Sequence, residues 1–309
     1  MDKPSMIIIC GPTGVGKSDC AEMLAKEISG EIVNMDLGQF YTPLSIGTAK
    51  PDWRNATVPH HLFDILDTPT NCTVVQYRER LLATCQELWN RNVTPIVVGG
   101  SMFYLRSLFF QPVSDNSINT LPSNEEDTWE NLRTIVPERA ASIDPNDTYR
   151  IARAMEIWRK TGTKPSAYQP RFDIPCNVKI IFLTRNRDEL YARINERVIM
   201  MMNAGWLDEV KPLSNTAWET FLHDKKLIGY NELLTYLATP KERDLESTIR
   251  IIQQRCRHYA KRQETFWRGF QKLLHEAYNG VEKPKYALET DTVNLTLLDV
   301  NLYIKQLLR

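Results

Sequence analysis

The sequence predicts an α/β fold: a parallel sheet flanked by helices, with a small all-helical insertion domain and a helical C-terminal region. Short β-branched apolar runs alternate with helix-length segments, which is the pattern of strands buried on both faces and joined by crossover helices. The first run ends in a glycine-rich loop that opens directly into a helix. Between residues 112 and 175 the alternation stops and only helical spacing remains.

Residues 6–10, MIIIC, form the first buried strand and stop at Gly11. From Lys17 the apolar residues Cys20, Met23, Leu24 and Ile28 recur at helical spacing, and Gly30 stands where a helix C-terminus is commonly capped. A second strand spans 31–35 and stops at Asp36; a third, 95–98, ends in Gly99 and Gly100; a fourth spans 178–184. The polar stretch 114–127 leads into helical segments around 129–143 and 148–161, read as an insertion. From 189 onward the chain reads as helical, with 246–268 its longest unbroken helix. The expected organisation is therefore a core of 1–111 with 176–309, and an insertion of 112–175.

The 309 residues carry 38 Lys plus Arg against 38 Asp plus Glu, so any polyanionic partner must meet a local basic patch rather than a global field. With 42% hydrophobic and 25% charged residues the composition is that of a globular chain, which excludes disordered, collagenous and disulfide-scaffold classes. No apolar run reaches the roughly 18 to 20 residues of a membrane span, and no secretory apolar region with a cleavage site opens the chain, so a soluble cytoplasmic protein is expected. Six scattered cysteines without a C-x-x-C pair predict reduced thiols and no zinc site. His60 and His61 lack metal-ligand partners at useful spacing.

Gly11-Pro12-Thr13-Gly14-Val15-Gly16-Lys17-Ser18 fits G-x-x-x-x-G-K-[ST] between a strand and a helix, so the sheet is expected to be P-loop NTPase-like. Consecutive backbone N–H groups of such a loop converge on a phosphate, Lys17 adds charge, and the Ser18 hydroxyl can ligate magnesium. Asp36, at the carboxyl end of the second strand, stands at the sheet edge where ligands bind in open α/β folds; a proton-accepting carboxylate and a loop-capping aspartate both fit that position. Gly99-Gly100-Ser101 occupies the same edge, where a nucleotide hydrolase would usually carry an acidic residue for magnesium. The segment 250–272 holds Arg250, Arg255, Arg257, Lys261, Arg262, Arg268 and Lys272, interleaved with Tyr259, Phe266 and Trp267. That is either a nucleic-acid patch or a solvated helix with its aromatics in the core. Arg150, Arg153 and Arg159 form a smaller basic group in the insertion.

Taken in order, the motifs resemble those of the tRNA dimethylallyltransferases, also called tRNA isopentenyltransferases. These are GPTGVGKS at 11–18, IGTAKP at 46–51, VPHHLFDILD at 58–67, PIVVGGSMFY at 95–104 and DPNDTYRIARAMEIWRKTGTKPS at 144–166. RINERV at 193–198, IGYNEL at 228–233 and YAKRQETFWRG at 259–269 complete the set. The resemblance implies transfer of a dimethylallyl group from its diphosphate to N6 of the adenosine 3′ of a tRNA anticodon, releasing diphosphate, with Mg2+ as cofactor. It implies Asp36 as general base, Lys17 and Ser101 as further catalytic residues, and the loop 11–18 as the diphosphate cradle with Ser18 toward the metal.

By the same resemblance Asp36, Leu37, Gly38, Gln39, Ser101, Tyr149, Arg150, Arg153, Gly229, Tyr230, Lys261, Arg262, Gln263 and Arg268 contact the tRNA anticodon stem-loop. The expected partners are that RNA and dimethylallyl diphosphate, with no membrane, no obligate protein partner and a monomeric state. The sequence departs from the family's pattern at Leu37, where Ser is usual, at Tyr149, where Gln is usual, at Thr265-Phe266-Trp267, and in a short segment between Pro112 and Trp129. A small-molecule kinase would use the same loop for ATP, but it should carry an arginine-rich lid with glycine hinges, which the insertion does not offer. A non-catalytic RNA-binding protein with a degenerate loop is disfavoured by the intact Lys17, Ser18 and Asp36, and a free adenine nucleotide as acceptor would not need the basic C-terminal helix.

Overall fold

A computed structural model of the chain describes residues 3–111, 127–162, 171–239 and 244–308. The elements begin with β1 (Ser5–Cys10), α1 (Lys17–Ile28), β2 (Glu31–Asn34), β3 (His60–His61), α2 (Val74–Asn90), β4 (Pro95–Gly99) and α3 (Met102–Phe109). There follow β5 (Phe110–Gln111), α4 (Trp129–Ile135), α5 (Pro137–Ala141), α6 (Thr148–Thr161), β6 (Arg171–Phe172), β7 (Asn177–Thr184), α7 (Arg187–Asn203) and α8 (Trp206–Val210). The last are α9 (Ala217–Lys225), α10 (Tyr230–Ala238), α11 (Leu245–Asn279), β8 (Leu288–Asn294) and α12 (Val300–Leu307).

The chain divides into two compact units, Met1–Phe109 with Asp173–Arg309, and Phe110–Phe172. The first holds a sheet of order β3-β2-β4-β1-β7-β8, in which every pairing is parallel. Strand β1 lies between β4 and β7, with Ile8 opposite Val97 on one side and Ile180 on the other, so the apolar run MIIIC sits where both faces are covered. Ile9, Ile96, Val98, Ile181 and Leu183 pack with Leu24 of α1, Ile194 of α7 and Ala260 of α11 in one core. The carboxyl ends of β1, β2 and β4 run into residues 11–18, Asp36 and 100–101, so three chain-distant loops share one edge.

The 17-residue α2 starts with a reciprocal capping box between Thr73 and Gln76. In the second unit Trp129 donates its indole N–H to the carbonyls of Ala140 and Ile143, closing a small core of Leu132, Val136, Ala140, Ile143, Ile151, Ala154 and Met155. Asp147 caps α6 through the Arg150 N–H, and Gly162 ends it in the left-handed region at φ 60°.

Four details differ from the sequence reading. The C-terminal region is not wholly helical: residues 288–294, LETDTVN, form the edge strand β8 on β7. An edge strand with one covered face needs few apolar residues, and here only Val293 is buried, so the segment carries no hydrophobic run to announce it. The helix expected around 129–143 is two short helices broken at Val136, because Pro137 starts the second at its first turn. The insertion contains one antiparallel pair, β5 with β6, two residues each. Finally α11 runs to Asn279, well past Arg268, since Phe270 and Leu274 continue its buried stripe. The polar stretch 114–127, save its last residue, and most of the short segment between Pro112 and Trp129 lie outside the described residues.

Candidate active site

A cleft of about 350 Å³ opens at the carboxyl edge of the sheet. Thr13, Gly14, Gly16, Lys17 and Ser18 of the phosphate loop line it together with Asp36, Gln39 and Gln263. These expected residues converge although they come from β1–α1, from the end of β2 and from α11. Gly11, Pro12 and Val15 are buried and do not line it.

The loop is built from backbone. Gly14 has φ 79°, a left-handed conformation that favours glycine, and the loop then enters α1 at Lys17 with the helix's first N–H groups unpaired. Such a helix start attracts anions. The Lys17 ammonium donates to the carbonyls of Gly11 at 3.1 Å and Pro12 at 2.9 Å, folding over its own loop. Burial pulls its pKa down to about 8, with the Asp36 charge opposing.

Residues that the sequence reading did not place in the site hold this loop from outside. Arg185 Nε donates to Val15 O at 2.9 Å, Arg193 Nε to Gly14 O at 3.0 Å, and Arg197 Nη2 to the Thr13 hydroxyl at 3.1 Å. Arg193 and Arg197 also line the cleft. Their four-residue spacing puts both on one face of α7, and that spacing within RINERV was the available signal. Burial lowers the pKa of Arg197 without removing its charge. The buried Gln263 accepts the Thr13 N–H at 2.9 Å and donates to Gly100 O at 2.9 Å, tying α11 to the loops after β1 and β4. Tyr259, one turn earlier on α11, and Thr48 and Ala49 of the 46–51 motif complete much of the wall.

Asp36 caps the loop and also lines the cleft. Its Oδ1 accepts the Gly38 N–H at 3.2 Å, capping a short 3-10 turn, Leu37–Phe40, while its own N–H donates to Asn34 Oδ1 at 2.8 Å. The carboxylate also faces the cleft, and burial pushes its pKa above the ordinary value, against the opposing charges of Lys17 and Arg197. A carboxylate so placed binds a proton more readily than one in water. Ser101 Oγ accepts the Leu37 N–H at 3.2 Å, so it orients the turn after Asp36; neither Leu37, Gly38 nor Ser101 lines the cleft.

Other expected contacts fall elsewhere. Lys261, Arg262 and Arg268 lie exposed along α11, with the Arg262 guanidinium 5.8 Å from the centroid of the Tyr259 ring. Gly229 and Tyr230, expected to meet RNA, are buried in the core unit. The Tyr230 hydroxyl donates to Glu209, and a Cβ on Gly229 would lie 1.9 Å from the Trp206 ring, so both serve packing inside the core unit. In the insertion unit Arg150 pairs with Asp147 and Arg153 with Glu156. The side chain of Tyr149 lies outside the described residues. All six cysteines are free.

Among the described residues no group of three or more His, Cys, Asp or Glu side chains could hold a metal. The oxygen donors of Ser18, Asp19 and Asp36 line one cleft, and such hard donors suit magnesium, an ion that takes most of its ligands from substrate phosphates and water rather than from a protein cage. No helix among the described residues is long and apolar enough to cross a membrane.

Residues 39–270 match the family described as IPP transferase. The chain is 38% identical over 277 residues to tRNA dimethylallyltransferase 1 of Citrifermentans bemidjiense, covering 86% of this chain and 89% of that protein. It is 36% identical over 293 residues to the tRNA dimethylallyltransferase of Geobacter metallireducens, covering 90% and 94%. Its fold is similar to the crystal structure of the tRNA isopentenylpyrophosphate transferase of Bacillus halodurans, with a TM-score of 0.62 at 30% identity over 99% and 94% of the two chains. It is also similar to a eukaryotic dimethylallyltransferase acting on tRNA, with a TM-score of 0.73 at 28% identity over 98% and 77%. A phosphate loop and a half-buried aspartate lining one cleft at a parallel sheet edge, together with this breadth of similarity, establish that the chain belongs to the tRNA dimethylallyltransferase (IPP transferase) family.

Proposed function

We propose that this chain transfers the dimethylallyl group of dimethylallyl diphosphate to N6 of the adenosine 3′ of the anticodon in tRNA, with Asp36 as general base. Membership of the family makes it a tRNA prenyltransferase. The observation that carries the finer reading is the cleft shared by the half-buried Asp36 carboxylate and an intact phosphate loop.

The reaction joins N6 to the allylic C1 as the C1–O bond breaks, and the electron pair leaves with the diphosphate. Negative charge therefore grows on the leaving oxygens, where the α1 N-terminus, Lys17, Arg193 and Arg197 offer preorganised positive charge. The exocyclic amine of adenine is a poor nucleophile, because its lone pair is delocalised into the ring. Asp36, held by Gly38, would accept a hydrogen bond from N6–H, orient the amine and take its proton as the new bond forms. Ser18 and neighbouring carboxylates would hold magnesium, which when bound supplies further neutralisation of the diphosphate. A stacked adenine cannot reach such a recess, so the base must be flipped out of the loop at a cost of about a few kcal/mol. The exposed cations of α11 are suited to offset that cost through phosphate contacts.

The test is incubation of the protein with magnesium, radiolabelled dimethylallyl diphosphate and an anticodon stem-loop bearing the 3′-flanking adenosine, beside an Asp36→Ala variant. Wild type should label the RNA, and the variant should turn over about 10²- to 10⁴-fold more slowly. Unlabelled RNA with wild type, accompanied by ATP-dependent phosphorylation of a small molecule, would overturn the reading.

A further inference from the structure

Glu209 lies on α8, outside the cleft and outside every motif described above, yet its carboxylate accepts four hydrogen bonds. Oε2 takes the backbone N–H groups of Ser45 at 2.9 Å and Ile46 at 2.6 Å. Oε1 takes the Gly47 N–H at 3.2 Å and the Tyr230 hydroxyl at 2.6 Å. Three consecutive N–H groups converging on one point form a nest of the kind that binds external anions. Here the chain fills it with its own carboxylate. Trp206 stands three residues before Glu209, on the same helical face, and its ring packs so closely on the turn that a Cβ at Gly47 would lie 2.0 Å from Nε1.

The turn so clamped continues directly into the cleft wall at Thr48 and Ala49. The Thr48 hydroxyl donates back to Leu44 O at 2.8 Å, and its methyl group abuts Gly38, where an added Cβ would lie 2.7 Å from Thr48 Cγ2. Gly38 is the residue whose N–H holds the Asp36 carboxylate. Gln39 closes the arrangement by donating to Thr48 O at 3.1 Å and Ala49 O at 3.2 Å. Among the described residues the hydrogen-bond partners of Glu209 are Ser45, Ile46, Gly47 and Tyr230, and none of them belongs to the phosphate loop.

We infer that Glu209 is a positioning residue for the acceptor half of the reaction, holding the 45–49 loop so that Thr48 seats the Gly38 turn and keeps Asp36 aligned with the incoming amine. This rests on the transfer reading proposed above. The diphosphate half is held separately, by the α7 arginines and Gln263, so damage at Glu209 should reach one substrate and not the other.

The experiment is steady-state kinetics on Glu209→Ala, Glu209→Gln and Tyr230→Phe, varying the RNA stem-loop and dimethylallyl diphosphate separately, with thermal melts of each variant. Glu209→Ala should lose between about tenfold and a hundredfold in kcat/KM for the RNA, with the KM for dimethylallyl diphosphate unchanged. Glu209→Gln should recover part of the loss: its carbonyl can still accept from Ser45 and Ile46, whereas its amide N–H₂ meets the Gly47 N–H donor to donor. Tyr230→Phe, which leaves all three turn N–H groups bonded, should fall closest to wild type. An equal rise in both KM values, unchanged kinetics, or a fall in kcat no larger than the loss of folded protein seen in the melts overturns the inference. Absence of label in RNA with the wild-type protein, read before any variant, would overturn the transfer reading itself.

Discussion

The phosphate loop and the 45–49 loop form two walls of one cleft, yet they are built on opposite plans. Residues 11–18 take their shape from their own backbone: a left-handed glycine and the start of a helix, into which Arg185, the arginines of α7 and Gln263 are then fitted. Residues 45–49 close a small turn of their own, with Ala49 N–H on Ile46 O at 2.9 Å, but the turn is seated from outside. They are placed by Glu209, Trp206 and Gln39, two of which lie more than 150 residues away in the chain. A phosphate has the same geometry in every substrate, so a fixed local cradle serves it. In the proposed reaction a flipped base is aligned against a carboxylate, and such alignment calls for packing between distant elements.

The largest expected effect breaks the first wall alone. Lys17→Ala removes the ammonium that the proposed mechanism sets against the leaving group and should lower kcat by about 10²- to 10³-fold, while leaving binding of the stem-loop, measured by fluorescence anisotropy, unchanged. Equal loss of RNA binding would show that the two walls are not independent.

The second prediction breaks the other wall. Gly47→Ala introduces a methyl group where the Trp206 ring already sits, and overpacking of this kind should cost about 1–3 kcal/mol, seen as a lowered midpoint in urea unfolding. Transfer should then fail through the RNA and not through dimethylallyl diphosphate. A midpoint equal to wild type would mean that the Trp206 contact is loose.

The smallest effect sharpens the contrast by pH. Because the pKa of Lys17 lies near 8 in the free protein, its ammonium is present below that pH and is lost as pH rises through it. A bound diphosphate stabilises the charged form, so binding takes up a proton above pH 8, and affinity for dimethylallyl diphosphate should fall by at most about tenfold for each further unit. Isothermal titration in buffers of different ionisation enthalpy measures that proton uptake. RNA affinity should not follow the same curve, and a shared curve would place Lys17 in both halves of the site.

The strands β1, β4 and β7, the helix α1 and the phosphate loop were legible because each is written in adjacent residues: a continuous apolar run, a 3.6-residue period, a glycine spacing. Asp36 was legible as a residue at a strand end, but a capping and a proton-accepting role could not be told apart there, since both begin with the same position. Strand β8 was illegible because the partner that makes it a strand, β7, is about a hundred residues away and supplies the apolar face. Gly229 and Tyr230 read as part of a family motif, and the motif could not say that they pack on Trp206 and Glu209.

Local sequence thus determined the parallel sheet, the phosphate cradle and the family, because backbone propensity and glycine conformation act over a few residues and need no partner. Tertiary structure alone decided which arginines grip the loop, how far the Asp36 carboxyl is buried, and what clamps the acceptor wall. Those depend on side chains from α7, α8 and α11 arriving at one sheet edge, and burial and hydrogen-bond geometry exist only once they have arrived.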